Sequence, residues 1–95
     1  MDLTEFQAVL DQLTVSDILR AAADHLDEVA TENTFHPPRS WFIRIAGHDF
    51  PHRPIIARAA RRHIEREMEP SDFGGNNDKR ARWWLGERGF ETLDL

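Results

Sequence analysis

The segment that decides the fold is WFIRIAGHDFPHRPIIARAA, residues 41–60. Residues 41–46 are rich in β-branched and aromatic side chains, which is typical of a strand. The glycine that follows predicts a turn over residues 47–49. Pro54 suits the first turn of a helix, because the missing N–H of proline has no hydrogen-bond partner there. The segment therefore predicts a strand, a turn and a helix that runs from Pro54 to about residue 67.

Apolar residues at helical spacing predict two further helices before this segment. The first covers residues 3–13. The second begins with Thr14 or Ser16 as its N-cap and runs to about residue 30. Its predicted buried face consists of Val15, Ile18, Leu19, Ala22, Leu26 and Val29. Residues 31–40 contain two consecutive prolines and small polar side chains, so they predict a connector.

The C-terminal third of the chain predicts a turn, a helix and a strand. Residues 69–76 form the turn, with Phe73 as a core side chain. The helix covers residues 79–88, and Gly89 fits the left-handed position that ends a helix. Residues 90–95 alternate apolar and polar side chains, which predicts a strand beside the first one.

This order of elements predicts the fold class. We expect one α+β domain over residues 1–95, small and mostly helical, with four helices and a short two-stranded antiparallel sheet. Residues 1–30 form an N-terminal helical pair, and residues 41–95 follow as strand, helix, turn, helix and strand. Two helices joined by a turn and followed by a strand favour a winged-helix-like arrangement.

The composition is that of a globular protein. Of the 95 residues, 40% are hydrophobic and 31% are charged, which excludes a disordered or collagen-like chain. The chain has no apolar run long enough to cross a membrane. It contains no cysteine, so disulfides and thiolate metal sites are excluded, and a cytoplasmic location is expected.

Catalytic and metal-binding patterns are missing from the sequence. The five histidines are not spaced as zinc ligands, and neither a nucleophile motif nor a phosphate-binding loop occurs. We therefore expect a protein that is not an enzyme and that holds no metal and no cofactor.

Charge is distributed unevenly. Residues 1–37 carry eight acidic side chains and one basic one, whereas residues 38–95 carry eleven basic and nine acidic ones. Because the whole chain has a net charge of −5, any DNA binding must come from a local patch.

The basic half interleaves arginines with adjacent tryptophans. Helical phase places Trp84 in the core and Trp83 toward the boundary, as a stacking or interface residue.

Three stretches carry a resemblance to a known family. They are GHDFPHRPIIARAA (residues 47–60), EPSDFGGN (residues 69–76) and WWLGERGFETL (residues 83–93). In this order they resemble the small N-terminal head domain of McrA-type HNH restriction endonucleases and related defence proteins, which act on modified DNA. The family commonly has a Pro-Lys pair near position 52, where this chain places Arg53. The resemblance implies an accessory module for DNA or for assembly in a cytoplasmic defence setting, without the HNH nuclease.

Two functions remain open at this point. The first is a non-enzymatic accessory module that binds DNA, either plain or modified. Its predicted contacts are Arg53, Arg58, Arg61 and Arg62 on phosphates, Asn76, Asn77, Lys79 and Arg80 nearest to a groove, and Trp83 as a stacking or interface residue. The second is a protein-interaction module, in which the acidic half of one copy meets the basic half of another copy or of a partner protein. Apart from both functions, the arginines can also serve ordinary pairing within their own helix, such as Arg61 with Glu65.

Overall fold

Two capped helices begin the chain in the computed structural model, which describes residues 1–27 and 41–94. Helix α1 spans Leu3–Gln12, and helix α2 spans Val15–Asp27. The hydroxyl of Thr14 accepts a hydrogen bond from the backbone of Asp17 at 3.1 Å, and the Asp17 carboxylate accepts one from the Thr14 backbone at 2.9 Å. This reciprocal cap confirms Thr14 as the N-cap of α2. The predicted end of this helix and the predicted connector, residues 28–40, lie outside the described residues.

Three antiparallel strands form the sheet: β1 (Phe42–Ile45), β2 (His48–Pro51) and β3 (Glu91–Leu93), in the order β2-β1-β3. The prediction of β3 beside β1 is confirmed. The prediction of a two-stranded sheet is wrong, because the turn is shorter than the predicted residues 47–49. Ala46 and Gly47 have φ angles of 51° and 80°, which together make a tight two-residue hairpin turn and leave residues 48–51 free to pair with β1.

Helix α3 spans His52–Ala60. Pro54 lies in its first turn, as predicted. The predicted extension of this helix to about residue 67 is wrong. Ile64 is the one apolar side chain in residues 61–67, and it is only partly buried. Two more helical turns would therefore gain too little apolar burial against the core to be stable.

Helix α4 spans Asn77–Glu87 and follows a short 3-10 helix at Pro70–Phe73. Gly89 ends it with a φ of 86°. The backbone N–H of Phe90 donates to the oxygen of Leu85 at 3.1 Å, and the N–H of Gly89 donates to the oxygen of Gly86 at 3.1 Å. This pair of bonds is the left-handed cap predicted from Gly89.

The buried apolar side chains form one cluster that contains Phe73 and Trp84, as predicted. Phe90 is only partly buried against it. The predicted buried face of α2 is wrong in part, because Val15, Leu19 and Leu26 are 42%, 46% and 48% exposed. Helix α2 packs against α3, and the side chains that it buries are Ile18, Ala21 and Ala22.

The α+β class with four α-helices is confirmed, whereas the winged-helix label is not. A wing is a hairpin that follows the second helix of the pair. Here the hairpin of β1 and β2 precedes α3, and within the described residues a single strand follows α4. None of the helices described in residues 1–27 and 41–94 is long and apolar enough to span a bilayer.

Candidate functional site

A concave surface lies between α1 and α4, and we call it the α1–α4 groove. Its main part has a volume of about 530 Å³ and continues into a second hollow of about 380 Å³ at the start of α4. The two parts share Leu3, Arg80 and Trp83. Among the described residues, the lining consists of Leu3, Thr4, Gln7, Ala8, Asp11, Asn76, Lys79, Arg80 and Trp83.

Trp83 is the exposed aromatic residue of the groove. Its side chain is 52% exposed, whereas Trp41 and Trp84 are buried in the core. The guanidinium carbon of Arg80 lies 5.2 Å from the centroid of the Trp83 ring, one helical turn away. This geometry is a cation–π contact, which holds an aromatic surface and a positive charge side by side.

The end of the groove at the start of α4 is positively charged. Lys79 is exposed there, and Asn76 is the exposed N-cap residue, whose side chain makes no capping hydrogen bond. At the other end stands the carboxylate of Asp11, which accepts a hydrogen bond from the amide of Gln7 at 2.8 Å. The groove therefore has a positive end and a negative end.

The structure thus brings four of the predicted site residues together, namely Asn76, Lys79, Arg80 and Trp83. Arg53 lies at the same end of α4, where its Nε is 3.4 Å from Oδ1 of Asp78. Its guanidinium carbon also lies 5.7 Å from the centroid of the Phe73 ring. Arg53 is consequently tied to neighbouring side chains and does not line the groove.

Asn77 does not face the groove. Its side chain is buried, and its amide nitrogen donates to the backbone oxygens of Met1 and Asp72, both at 2.8 Å. Both amide hydrogens are therefore used inside the protein. The prediction that Asn77 contacts a partner is corrected to a structural role at the start of α4.

The three arginines predicted as phosphate contacts near the end of α3 do not share one helix, because α3 ends at Ala60. Arg58 is half-buried on the helix. Arg61 and Arg62 are exposed beyond its end, and Arg61 pairs with Glu67 rather than with the predicted Glu65. Phosphate contacts by these three arginines stay a prediction.

Sequence reasoning missed a polar cluster beneath the start of α4. His52 is fully buried and stacks on Trp41, with ring centroids 3.6 Å apart and planes at 14°. Its Nδ1 donates to the backbone oxygen of Trp41 at 3.0 Å, and its Nε2 lies 2.6 Å from Oδ1 of Asp78. The Trp41 indole N–H donates to Oδ2 of the same carboxylate at 3.0 Å. The cluster therefore fixes the start of α4 on α3 and on the residue that precedes β1.

The electrostatics of this cluster favour an ionised Asp78. Burial raises the pKa of the Asp78 carboxyl, but hydrogen bonds from His52 and Trp41 outweigh burial, so that the pKa lies below its usual value. A sequence signal for His52 did exist. It occupies the same helical stripe as Ile55, Ile56 and Ala59, which indicates a buried histidine.

A metal site is not formed by the described part of the chain. In residues 1–27 and 41–94, no three histidine, aspartate or glutamate side chains are grouped so that they could hold an ion.

Comparison with known proteins identifies the family. Residues 11–94 match the family described as ScoMcrA-like, N-terminal head domain. Comparisons with curated proteins and with solved structures found no match. The family match covers most of the chain and includes all three stretches that carried the resemblance. The chain therefore belongs to the family of ScoMcrA-like N-terminal head domains.

Proposed function

We propose that this domain is a non-enzymatic DNA-binding accessory module of a restriction or defence nuclease, acting in the cytoplasm, and that the α1–α4 groove is its contact surface. The observation that carries the proposal is the exposed indole of Trp83 beside the charges of Arg80 and Lys79. Membership of the ScoMcrA-like family supports the association with such a nuclease.

The chemistry of the groove suits a nucleic acid. An indole face stacks on bases without regard to sequence, and neighbouring cations attract the phosphates that connect them. Arg80 and Lys79 supply these charges within a chain whose net charge is −5, so the attraction is local to this end of α4.

The charge gradient also orients the partner. Because the carboxylate of Asp11 repels phosphates at one end, the DNA backbone passes the opposite end, near Lys79 and Asn76. Modified and plain DNA both carry the phosphates and base faces that this groove would contact, so both are candidate ligands.

A second candidate function is favoured by the exposed apolar side chains of α2. Val15, Leu19 and Leu26 follow one another at spacings of four and seven residues and are each more than 40% exposed. Such a stripe is typical of a surface that packs against another protein. In this alternative the domain is an interaction module, either in a homo-oligomer or with a partner protein.

Fluorescence anisotropy with labelled DNA at ~50 mM salt tests the first function. Plain, methylated and phosphorothioate oligonucleotides are titrated with the wild type and with the double variant Lys79→Ala/Arg80→Ala. We expect the double variant to bind at least about tenfold more weakly, because two phosphate-binding charges are lost. Arg20→Ala is the matched control, since it removes an exposed positive charge outside the groove.

Two outcomes would reject the proposal: no binding of any DNA by the wild type, or equal weakening by Arg20→Ala. Sedimentation over a range of concentrations tests the second function. If the wild type self-associates and Leu19→Ala abolishes that association while DNA is not bound, the interaction module is the correct function.

A further inference from the structure

We propose, building on the DNA-binding function above, that the α1–α4 groove holds an unpaired base stacked on Trp83. The domain would then bind single-stranded or locally opened DNA in preference to a continuous duplex. The inference rests on where the indole lies, on the shape around it and on the charges beside it.

The position of the indole favours a base that has left its stack. Trp83 stands in a concave surface between two helices, not on a convex ridge. In a continuous duplex each base face is covered by the next base pair, so an aromatic side chain finds no free face to stack on. A single-stranded or splayed nucleotide offers that face.

The lining of the groove suits the face and edge of one base. Leu3 supplies an apolar wall that is shared by both parts of the groove, and Trp83 supplies the stacking surface.

The charges match the rest of the nucleotide. Lys79 is exposed beside the hollow at the start of α4, where a flanking phosphate can reach it. Arg80 lies over the indole, and 52% of the Trp83 side chain is still open to solvent. The indole therefore has a positive charge beside it that attracts phosphates, and it remains accessible to a base.

Tryptophan fluorescence can report on this contact directly. Trp83 is exposed, whereas Trp41 and Trp84 are buried, so a base that stacks in the groove quenches mainly the emission of Trp83. Three DNA probes of the same sequence are titrated: a 12-nucleotide single strand, its blunt duplex, and that duplex with a two-nucleotide bulge.

We expect the single strand and the bulged duplex to quench the emission and to bind about tenfold tighter than the blunt duplex. Trp83→Ala should reduce both affinities to that of the blunt duplex. Trp83→Phe is the matched variant, because it keeps an aromatic face and should restore most of the preference.

The outcomes separate this inference from the function on which it rests. If the blunt duplex binds as tightly as the single strand, or if Trp83→Ala changes neither affinity, base stacking is rejected while DNA binding stands. If none of the three probes binds, both proposals are wrong.

Discussion

Nε2 of His52 lies 2.6 Å from Oδ1 of Asp78, and this contact joins the first turn of α3 to the first turn of α4. The histidine is fully buried, and its other ring nitrogen is bonded to the backbone of Trp41. The pair therefore holds the wall of the α1–α4 groove against the sheet and α3.

Loss of the Asp78 carboxylate should destabilise the domain. Asp78→Ala leaves the buried His52 and the Trp41 indole N–H without their shared acceptor, and we expect it to lower the free energy of unfolding by about 2–4 kcal/mol. Asp94→Ala is the matched control, because the Asp94 carboxylate pairs with Arg82 while 71% exposed. Asp94→Ala should lower the free energy of unfolding by less than about 1 kcal/mol. Urea unfolding at pH 7 measures both variants, and an equal decrease in the free energy of unfolding would contradict the role assigned to Asp78.

Acid stability should depend on Arg66. Its guanidinium makes two hydrogen bonds, of 2.8 Å and 2.9 Å, to Asp72 and lowers the pKa of that carboxyl from 3.8 to about 2. A carboxyl with a lowered pKa stabilises the fold above its unfolded value, near pH 4, and this stabilisation is lost as the pH falls toward 2.

Arg66→Gln should therefore lower the free energy of unfolding at pH 7 by about 1 kcal/mol, since the exposed guanidinium is screened by solvent. It should also move acid unfolding to higher pH. Urea unfolding at pH 7, 4 and 2.5 measures both effects, and unchanged acid unfolding would show that Arg66 does not set the pKa of Asp72.

One residue of the hairpin turn between β1 and β2 has a strained backbone conformation that a substitution should relieve. Ala46 has a φ of 51°, a conformation that glycine adopts without cost. We expect Ala46→Gly to raise the free energy of unfolding by about 0.5–1 kcal/mol. The same substitution at Ala23, on the exposed side of α2, should lower it by about as much. Thermal melts of both variants check the opposite signs, and a loss of stability in Ala46→Gly would contradict the argument.

Phe73 should be among the costliest side chains to remove. It is 1% exposed and meets Phe6 edge to face, with ring centroids 5.5 Å apart. Phe73→Ala should cost about 3–5 kcal/mol of unfolding free energy. Leu19→Ala, at a residue 46% exposed, should cost less than about 1 kcal/mol. Full thermal stability of Phe73→Ala would show that this ring is not a core anchor.

The salt dependence of DNA binding should distinguish the groove from the arginines beyond α3. Each phosphate contact contributes about one unit to the slope of log affinity against log salt. We expect Lys79→Ala/Arg80→Ala to reduce the slope by about two units. Arg61→Ala/Arg62→Ala should reduce it by about one or less, because Arg61 already pairs with Glu67. If Arg61→Ala/Arg62→Ala reduced the slope more than Lys79→Ala/Arg80→Ala, the phosphates would contact the arginines beyond α3 instead of the groove.

Sequence reasoning succeeded where neighbouring residues determine the structure. The cap at Thr14 and the helix end at Gly89 depend on residues within one turn, so their chemistry can be read directly from the chain. The burial of Trp84 and the exposure of Trp83 follow from helical phase alone. These local rules also located most of the groove residues on α4.

The errors at the site came from contacts between distant residues. The inward amide of Asn77 depends on the backbone of Met1, 76 positions away, and the pairing of His52 with Asp78 spans 26 positions. Helical spacing cannot show either contact. The other wall of the groove was missed for the same reason, because only the packing of α1 against α4 brings Asp11 near Trp83.

The anchoring of α4 at both ends has a consequence for the energetics of recognition. Asp78 fixes its first turn and the Gly89 cap fixes its last, so the backbone that carries Arg80 and Trp83 is already ordered before a partner arrives. Little conformational entropy is then lost by the domain on association. The entropy cost of ordering is then borne by the partner. A strand whose bases are already splayed should therefore bind more tightly than a strand that must first unstack its bases.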